Sequence, residues 1–301
     1  MQRYCVFAQA LKTSRIRVLH LSERNSAIGV FDSGLGGLSA VRVLKKILPN
    51  ERIIYFGDTG RVPYGTRSPE TITKYALDDM NFLSSFGIKA ALVACGTVSS
   101  VALGTLRQTF DVPITGVVEA AAKRACDLSK NKRIALLATP ATVKNAAHEK
   151  YINKNYKGFS VMGVGCPMFV PLVENGYVGK DCKVTRMIAD EYISKLKAFD
   201  PDCIILGCTH YPIIRDIILE SAKELISENV EIVDSGEEAA FEIKAFLENE
   251  GLISENRSGF VEYYVSDETC GFCESASLFL GESITNVTKT DISAYYYKSK
   301  K

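Results

Sequence analysis

No apolar run in the 301-residue sequence reaches the roughly 18 residues needed to cross a bilayer, which excludes an integral helical membrane protein. An excess of charge of one sign is also missing. The 36 basic and 35 acidic side chains leave a formal +1, too little for the basic surface on which general nucleic-acid binding relies. Histidine is scarce: His20, His148 and His210 are the only imidazoles. No Walker A pattern and no G-x-S-x-G elbow occur, so neither a P-loop nucleotide site nor a Ser-His-Asp hydrolase is supported. What remains is globular composition, 47% hydrophobic and 24% charged, enough for one large domain or two ordinary ones.

Nine cysteines, an odd number with no secretory leader before them, fit reduced thiols in a cytoplasm better than a disulfide framework. Most are expected to be inert, buried small hydrophobes. Residues 1–25 stand apart. Arg3, Lys12, Arg15, Arg17 and Arg24 against Glu23 give this segment +4, so residues 26–301 carry −3. Such a start is read as a disordered tail, or as leader translated from an early start site, rather than as an organelle transit peptide.

From Ala27 onward, short apolar runs alternate with amphipathic stretches. Strands are expected at 27–31, 53–56, 90–94, 114–118, 134–138, 160–162, 203–206, 232–233 and 260–265. Helices are expected at 39–48, 71–86, from the third strand through Leu106, and at 187–198. This alternation predicts an α/β fold with parallel sheets covered on both faces, and a ligand crevice at the strand carboxyl ends. Two strand ends resemble each other, Val93-Ala94-Cys95-Gly96-Thr97 and Leu206-Gly207-Cys208-Thr209-His210. Phe31-Asp32-Ser33-Gly34 has an echo in Val233-Asp234-Ser235-Gly236. A genuine repeat predicts two similar α/β lobes with parallel sheets, facing each other across a cleft, each contributing one thiol.

Asp32-Ser33-Gly34-Leu35-Gly36-Gly37 follows a strand and opens a helix, where exposed amides and the helix dipole favour an anion. A dinucleotide fingerprint would place Asp58 near a ribose, but Ser39 stands where the third glycine belongs. A carboxylate-binding loop fits better, while a plain turn would account for Gly36 and Gly37 though less well for Asp32 and Ser33. Cys95 and Cys208 each end an apolar strand where a helix dipole favours thiolate, and His210 is placed to polarise Cys208. For either thiol alone, a packed core residue is the ordinary alternative. Cys270-Gly-Phe-Cys273 has C-x-x-C spacing, but without a second pair it makes a poor zinc site, and no metal is expected. The loop Gly60 to Thr66 can offer the Tyr64 hydroxyl to a ligand or be only a rigid turn. Glu119 reads as a general acid/base or as a helix N-terminal acid.

Taken in order, these motifs resemble the cofactor-independent aspartate/glutamate racemase family, and within it the glutamate enzymes. The resemblance is carried by Ile28-Gly-Val-Phe-Asp-Ser-Gly-Leu-Gly-Gly-Leu38, Tyr55-Phe-Gly-Asp-Thr59, Arg61-Val-Pro-Tyr-Gly65 and Ala94-Cys95. Cys166-Pro-Met-Phe-Val-Pro-Leu-Val-Glu174 and the highly specific Leu206-Gly-Cys-Thr-His-Tyr-Pro212 complete it. It covers about residues 27–290. It implies two lobes, 26–122 with 235–301 and 123–234, and an active site in the cleft between them. It implies interconversion of L- and D-glutamate without cofactor, supplying D-glutamate for peptidoglycan, in a cytoplasmic protein that is a homodimer. Cys95 and Cys208 would be the catalytic thiols. Asp32, Ser33, Tyr64, Gly65, Gly96, Thr97, Thr209 and His210 would bind substrate, with Asp32, Glu119 and His210 as acid/base support.

Paired thiols suit racemisation, because a proton must leave one face of Cα and another must arrive on the opposite face. Without a cofactor the carbanion depends on fixed donors in a water-poor cleft. The pattern departs from the family at Gly96, where relatives have Asn. Losing that donor and acceptor costs roughly 1–3 kcal/mol, or about ten- to hundred-fold in rate. Asn145 and His148 stand where relatives commonly have Ser and Tyr. Reduced activity, a preference for aspartate or another amino acid, and a non-catalytic ligand-binding homologue are the alternatives.

Overall fold

The structure is a computed structural model and describes residues 24–298. The expectation of a disordered tail over 1–25 falls almost wholly outside that range, as do Cys5 and His20.

The first half runs β1 (Ile28–Asp32), α1 (Leu38–Ile47), β2 (Arg52–Gly57), α2 (Pro69–Ser84), β3 (Ala90–Val93), α3 (Gly96–Val101), α4 (Leu103–Thr109), β4 (Ile114–Gly116) and α5 (Val117–Leu128). It continues through β5 (Arg133–Ala138), α6 (Pro140–Asn145), α7 (Ala147–Asn155), β6 (Ser160–Gly165), α8 (Phe169–Glu174), α9 (Lys183–Ser194), β7 (Cys203–Leu206) and α10 (Arg215–Leu225). The chain closes with β8 (Glu231–Asp234), α11 (Ser235–Asn249), β9 (Phe260–Val265), α12 (Thr269–Leu280) and β10 (Val287–Lys289).

Two sheets form, in the orders β10-β9-β2-β1-β3-β4 and β6-β5-β7-β8. Every pairing is parallel, so all carboxyl ends within a sheet share one edge. The α/β architecture with two parallel sheets is therefore as the sequence predicts. The central strands β1, β3 and β7 are buried along their whole length, the reason they read as unbroken apolar runs. One apolar core joins both sheets, from Ile28, Tyr55 and Leu92 to Ile204, Tyr211 and Ile217. Separate clusters around Phe31 and Phe82, and around Ile134 and Ile205, cover the outer faces.

Several elements differ from expectation. The helix expected through Leu106 breaks at Ala102 into α3 and α4. The strand expected over 114–118 stops at Gly116, because Val117 donates its N–H to the Ser99 hydroxyl and begins α5. β10 lacks an apolar run, being a three-residue edge strand with two exposed residues, and left no periodic signal. The echo of Asp32 in Asp234 is structural. Asp32 Oδ2 accepts the Gly34 N–H at 2.9 Å, and Asp234 Oδ1 accepts that of Gly236 at 2.8 Å, the same turn at the end of each strand. Among the described residues, no helix is long and apolar enough to cross a membrane.

Candidate active site

The glycine loop after β1 is built by close approach. Its Asp32 also sits against Gly37, where a methyl group would lie 2.6 Å from the Asp32 Cβ. A methyl group at Gly36 would lie 2.2 Å from Thr209 Oγ1 and 2.6 Å from His210 Nδ1, so this loop packs against the Cys208 segment of the other sheet. Ser39 ties the two together, its hydroxyl positioned against the carbonyls of Gly36 at 2.8 Å and Thr209 at 3.2 Å. Tyr55, fully buried in β2, supports the loop from behind by donating its hydroxyl to Gly34 O at 2.7 Å. Burial raises the Asp32 pKa, against the His210 charge and the N–H groups of Gly34, Gly37 and Ser33.

The two thiols stand at carboxyl ends of the two sheets, Cys95 two residues beyond β3 and Cys208 two beyond β7. They are 5% and 9% exposed, close to sealed but not enclosed. Cys95 caps the short helix α3 and donates to Ser33 Oγ at 3.5 Å. Here the helix does not prevail. Burial first, then the Asp32 charge, pushes the Cys95 thiol up to about 12 despite Ser33 and the Val98 N–H. Cys208 precedes a single 3-10 turn, Tyr211–Ile214, rather than an α-helix. Its neighbour is His210, whose Nδ1 lies 3.9 Å from the sulfur and whose Nε2 lies 3.0 Å from Glu174 Oε1. Burial opposes charge on that imidazole, but the contacts with Cys208 and Glu174, together with Asp32, raise it to about 10. The two sulfurs thus sit in unlike settings, Cys95 beside a hydroxyl and Cys208 beside an imidazolium.

The remaining predicted residues divide. Thr97 and Gly65 adjoin: a methyl group at Gly65 would lie 3.9 Å from Thr97 Oγ1 and 3.8 Å from Thr139 across the cleft. The Tyr64 hydroxyl does not face a ligand. It is buried between two carboxyl groups, donating to Asp58 and lying 3.0 Å from Asp79 Oδ2, because the loop turns its side chain into the lobe. Arg61 completes that cluster, reaching Asp58 at 2.6 Å, Asp78 at 2.9 Å and Asp79 at 2.6 Å. Burial and the neighbouring Asp58 hold the Asp79 carboxyl well above the usual carboxylate range. The cluster anchors residues 59–66, so what this loop offers the cleft is backbone around Gly65. Glu119 lies in the first turn of α5 and is gripped at 2.9 Å by both terminal nitrogens of Arg107, a structural pair rather than a poised acid.

Glu174 and Tyr55 lie inside recognisable motifs, yet nothing in linear spacing links Glu174 to His210, 36 residues away. His148 is fully buried with neither ring nitrogen hydrogen-bonded, and burial pushes it down to about 4. Cys270 is exposed and its sulfur lies 3.8 Å from Glu274. Among the described residues, no group of three or more His, Cys, Asp or Glu is placed to hold a metal ion.

The chain has counterparts among known proteins. The glutamate racemase of Geobacter metallireducens is 40% identical over 269 residues, covering 89% of this chain and 97% of that protein. The solved glutamate racemase isoform RacE1 of Bacillus anthracis superimposes with a TM-score of 0.83 at 31% identity, covering 89% of this chain and 98% of its own. The glutamate racemase of Francisella tularensis, solved in complex with D-glutamate, gives 0.82 at 33% identity over 90% of this chain and all of its own. The sequence model of Asp/Glu/Hydantoin racemase matches residues 28–243, and the chain belongs to that family.

Proposed function

We propose that this protein is a glutamate racemase that interconverts L- and D-glutamate and supplies D-glutamate for peptidoglycan. The observation that carries the reading is the pair of nearly buried thiols, one at the carboxyl end of each parallel sheet, with the glycine loop packed between them. Relatives named glutamate racemase over most of the chain support the choice of substrate.

In this reading the lobes are 26–122 with 235–301 and 123–234, a division that the membership of the two sheets supports. Cys208, beside the His210 imidazolium, removes a Cα proton from one face. Cys95, held protonated by burial and Asp32, delivers a proton to the opposite face. For the other enantiomer the roles reverse. Ser33, Thr97 and Thr209, with the amides of the glycine loop, Gly65 and Gly96, hold the amino acid. Asp32 and His210 balance charge as the carbanion forms, a task for fixed groups in a dry cleft. The assembly is a cytoplasmic homodimer. Incubating the purified chain with L-glutamate in D₂O, without added cofactor, should yield D-glutamate deuterated at Cα. Absence of deuteration at millimolar substrate overturns the reading, and sedimentation as a monomer overturns the dimer.

A further inference from the structure

Cys270 and Cys273 take no part in the two-thiol site. β9, α12 and β10 form a βαβ unit with its strands paired in parallel, and both cysteines lie in the opening turns of α12. A Cys-x-x-Cys pair at the start of such a helix is the setting of a reversible redox dithiol. Among the described cysteines Cys270 alone is exposed, and Cys273 is half-buried. Helical spacing leaves Cβ atoms three residues apart roughly 5–6 Å from each other, whereas a disulfide needs about 3.5–4.5 Å. Closure must therefore draw this turn in by about an ångström. Little resists it. Glu268 at the N-cap makes no side-chain bond to the helix, whose first N–H groups have no partner within it. Gly271, between the two thiols, has no side chain to pack, and a methyl group there would meet nothing within 4 Å.

The next residue reaches the active site. Phe272 is buried, its ring centroid 6.1 Å from that of Tyr55, and a methyl group on Gly57 would lie 3.4 Å from it. Tyr55 in turn donates to Gly34 O in the glycine loop at 2.7 Å. Two turns further along α12, Phe279 stands edge-on to the His210 ring with centroids 5.2 Å apart. The helix that carries the dithiol thus also backs the catalytic cleft.

We propose that Cys270 and Cys273 form a thiol–disulfide site that takes low-molecular-weight disulfides as oxidant, and that its closure draws Phe272 away from Tyr55 and loosens the glycine loop. The exposed Cys270, as thiolate, attacks one sulfur of the disulfide RSSR, giving a mixed disulfide and expelling RS⁻. The Cys273 thiolate then attacks the Cys270 sulfur and expels the second RS⁻. Each RS⁻ takes up the proton that one protein thiol released. In sum, two protein thiols are oxidised to one disulfide while RSSR is reduced to two RSH, and excess thiol reverses both steps. Cys95 and Cys208, 5% and 9% exposed, present little surface to the same oxidant. Only the link to turnover rests on the racemase reading above; the disulfide does not.

The test treats the full-length wild type and Cys273→Ser with oxidised glutathione, then with dithiothreitol. Mass mapping after alkylation locates disulfides, hydrogen exchange follows the peptide holding residues 33–39, and racemisation of L-glutamate gives KM. In the wild type the 270–273 disulfide should form at least about tenfold faster than glutathione adds to Cys95 or Cys208. Exchange in the glycine loop should then quicken about threefold or more, KM should rise by a similar factor, and dithiothreitol should restore both. Cys273→Ser cannot close the pair, so the same treatment should leave its loop exchange and KM unchanged. A pair that still alkylates fully after oxidant, or a disulfide that leaves loop exchange unchanged, overturns the proposal. So does an equal change in Cys273→Ser, or a change in the wild type that dithiothreitol does not reverse. A reduced wild type that racemises neither enantiomer removes the racemase reading instead, while mapping and exchange still decide this one.

Discussion

Glu174 and Cys208 are joined through one imidazole: Nε2 of His210 lies 3.0 Å from the Glu174 carboxylate and Nδ1 3.9 Å from the sulfur. Burial alone would discharge that ring, so its charge depends on these partners and on Asp32. Glu174→Gln removes the carboxylate and lowers the His210 pKa from about 10. The alkaline limb of the kcat/KM profile should move to lower pH, with about a tenfold loss at pH 8. A limb that stays where the wild type has it would show that His210 does not govern activity.

Each thiol should be separable from the other. Cys95→Ser and Cys208→Ser should each lower racemisation by about 10²–10⁴-fold, the usual worth of a general acid or base. Each variant should retain Cα deuteration from one enantiomer, and the surviving enantiomer should differ between them. NMR in D₂O with pure L- and pure D-glutamate reads this directly, and deuteration of the same enantiomer by both variants contradicts opposed faces.

Tyr64 tests the anchoring cluster. Tyr64→Phe leaves Asp58 and Asp79 without the phenol between them, at a cost of roughly 1–3 kcal/mol. Thermal melting should show a lower Tm, and KM for glutamate should rise more than kcat falls, because the loop around Gly65 loosens. A hydroxyl that touched substrate would instead lower kcat with little change in Tm.

His148 makes stability depend on pH. The folded protein keeps it neutral down to about 4, whereas the unfolded chain protonates it near its ordinary 6.5. Between those values the unfolded state binds more protons, so stability is intact above 6.5 and falls by up to about 3 kcal/mol as pH approaches 4. Burial raises Glu238 and Glu242 to about 7, which gives the opposite slope over part of that range. Urea melts of wild type and His148→Phe from pH 7.5 to 4.5 isolate the histidine by difference. The variant should gain on the wild type as pH falls, and a constant difference would refute the assignment.

Much of the fold was legible because buried parallel strands carry continuous apolar runs, as β1, β3 and β7 do. β10 was not, since an exposed edge strand has no core to impose a pattern. The positions of Cys95, Cys208 and His210 just beyond strand ends were legible because the chain delivers them there directly. The inward turn of the Tyr64 hydroxyl was not legible, because sequence places a residue in a loop without saying which way its ring turns. Glu174 escaped notice as a partner of His210 because only tertiary packing joins α8 to the segment after β7.

The unlike settings of the two sulfurs have a thermodynamic consequence. L- and D-glutamate are mirror images with equal free energy in water, so their equilibrium lies midway whatever the protein does. By the Haldane relation, kcat/KM must then be identical in the two directions. The imidazolium beside Cys208 and the hydroxyl beside Cys95 can make one enantiomer bind more tightly and turn over more slowly. They can never make the enzyme more efficient with it, and no substitution at either thiol's neighbours can bias the product mixture.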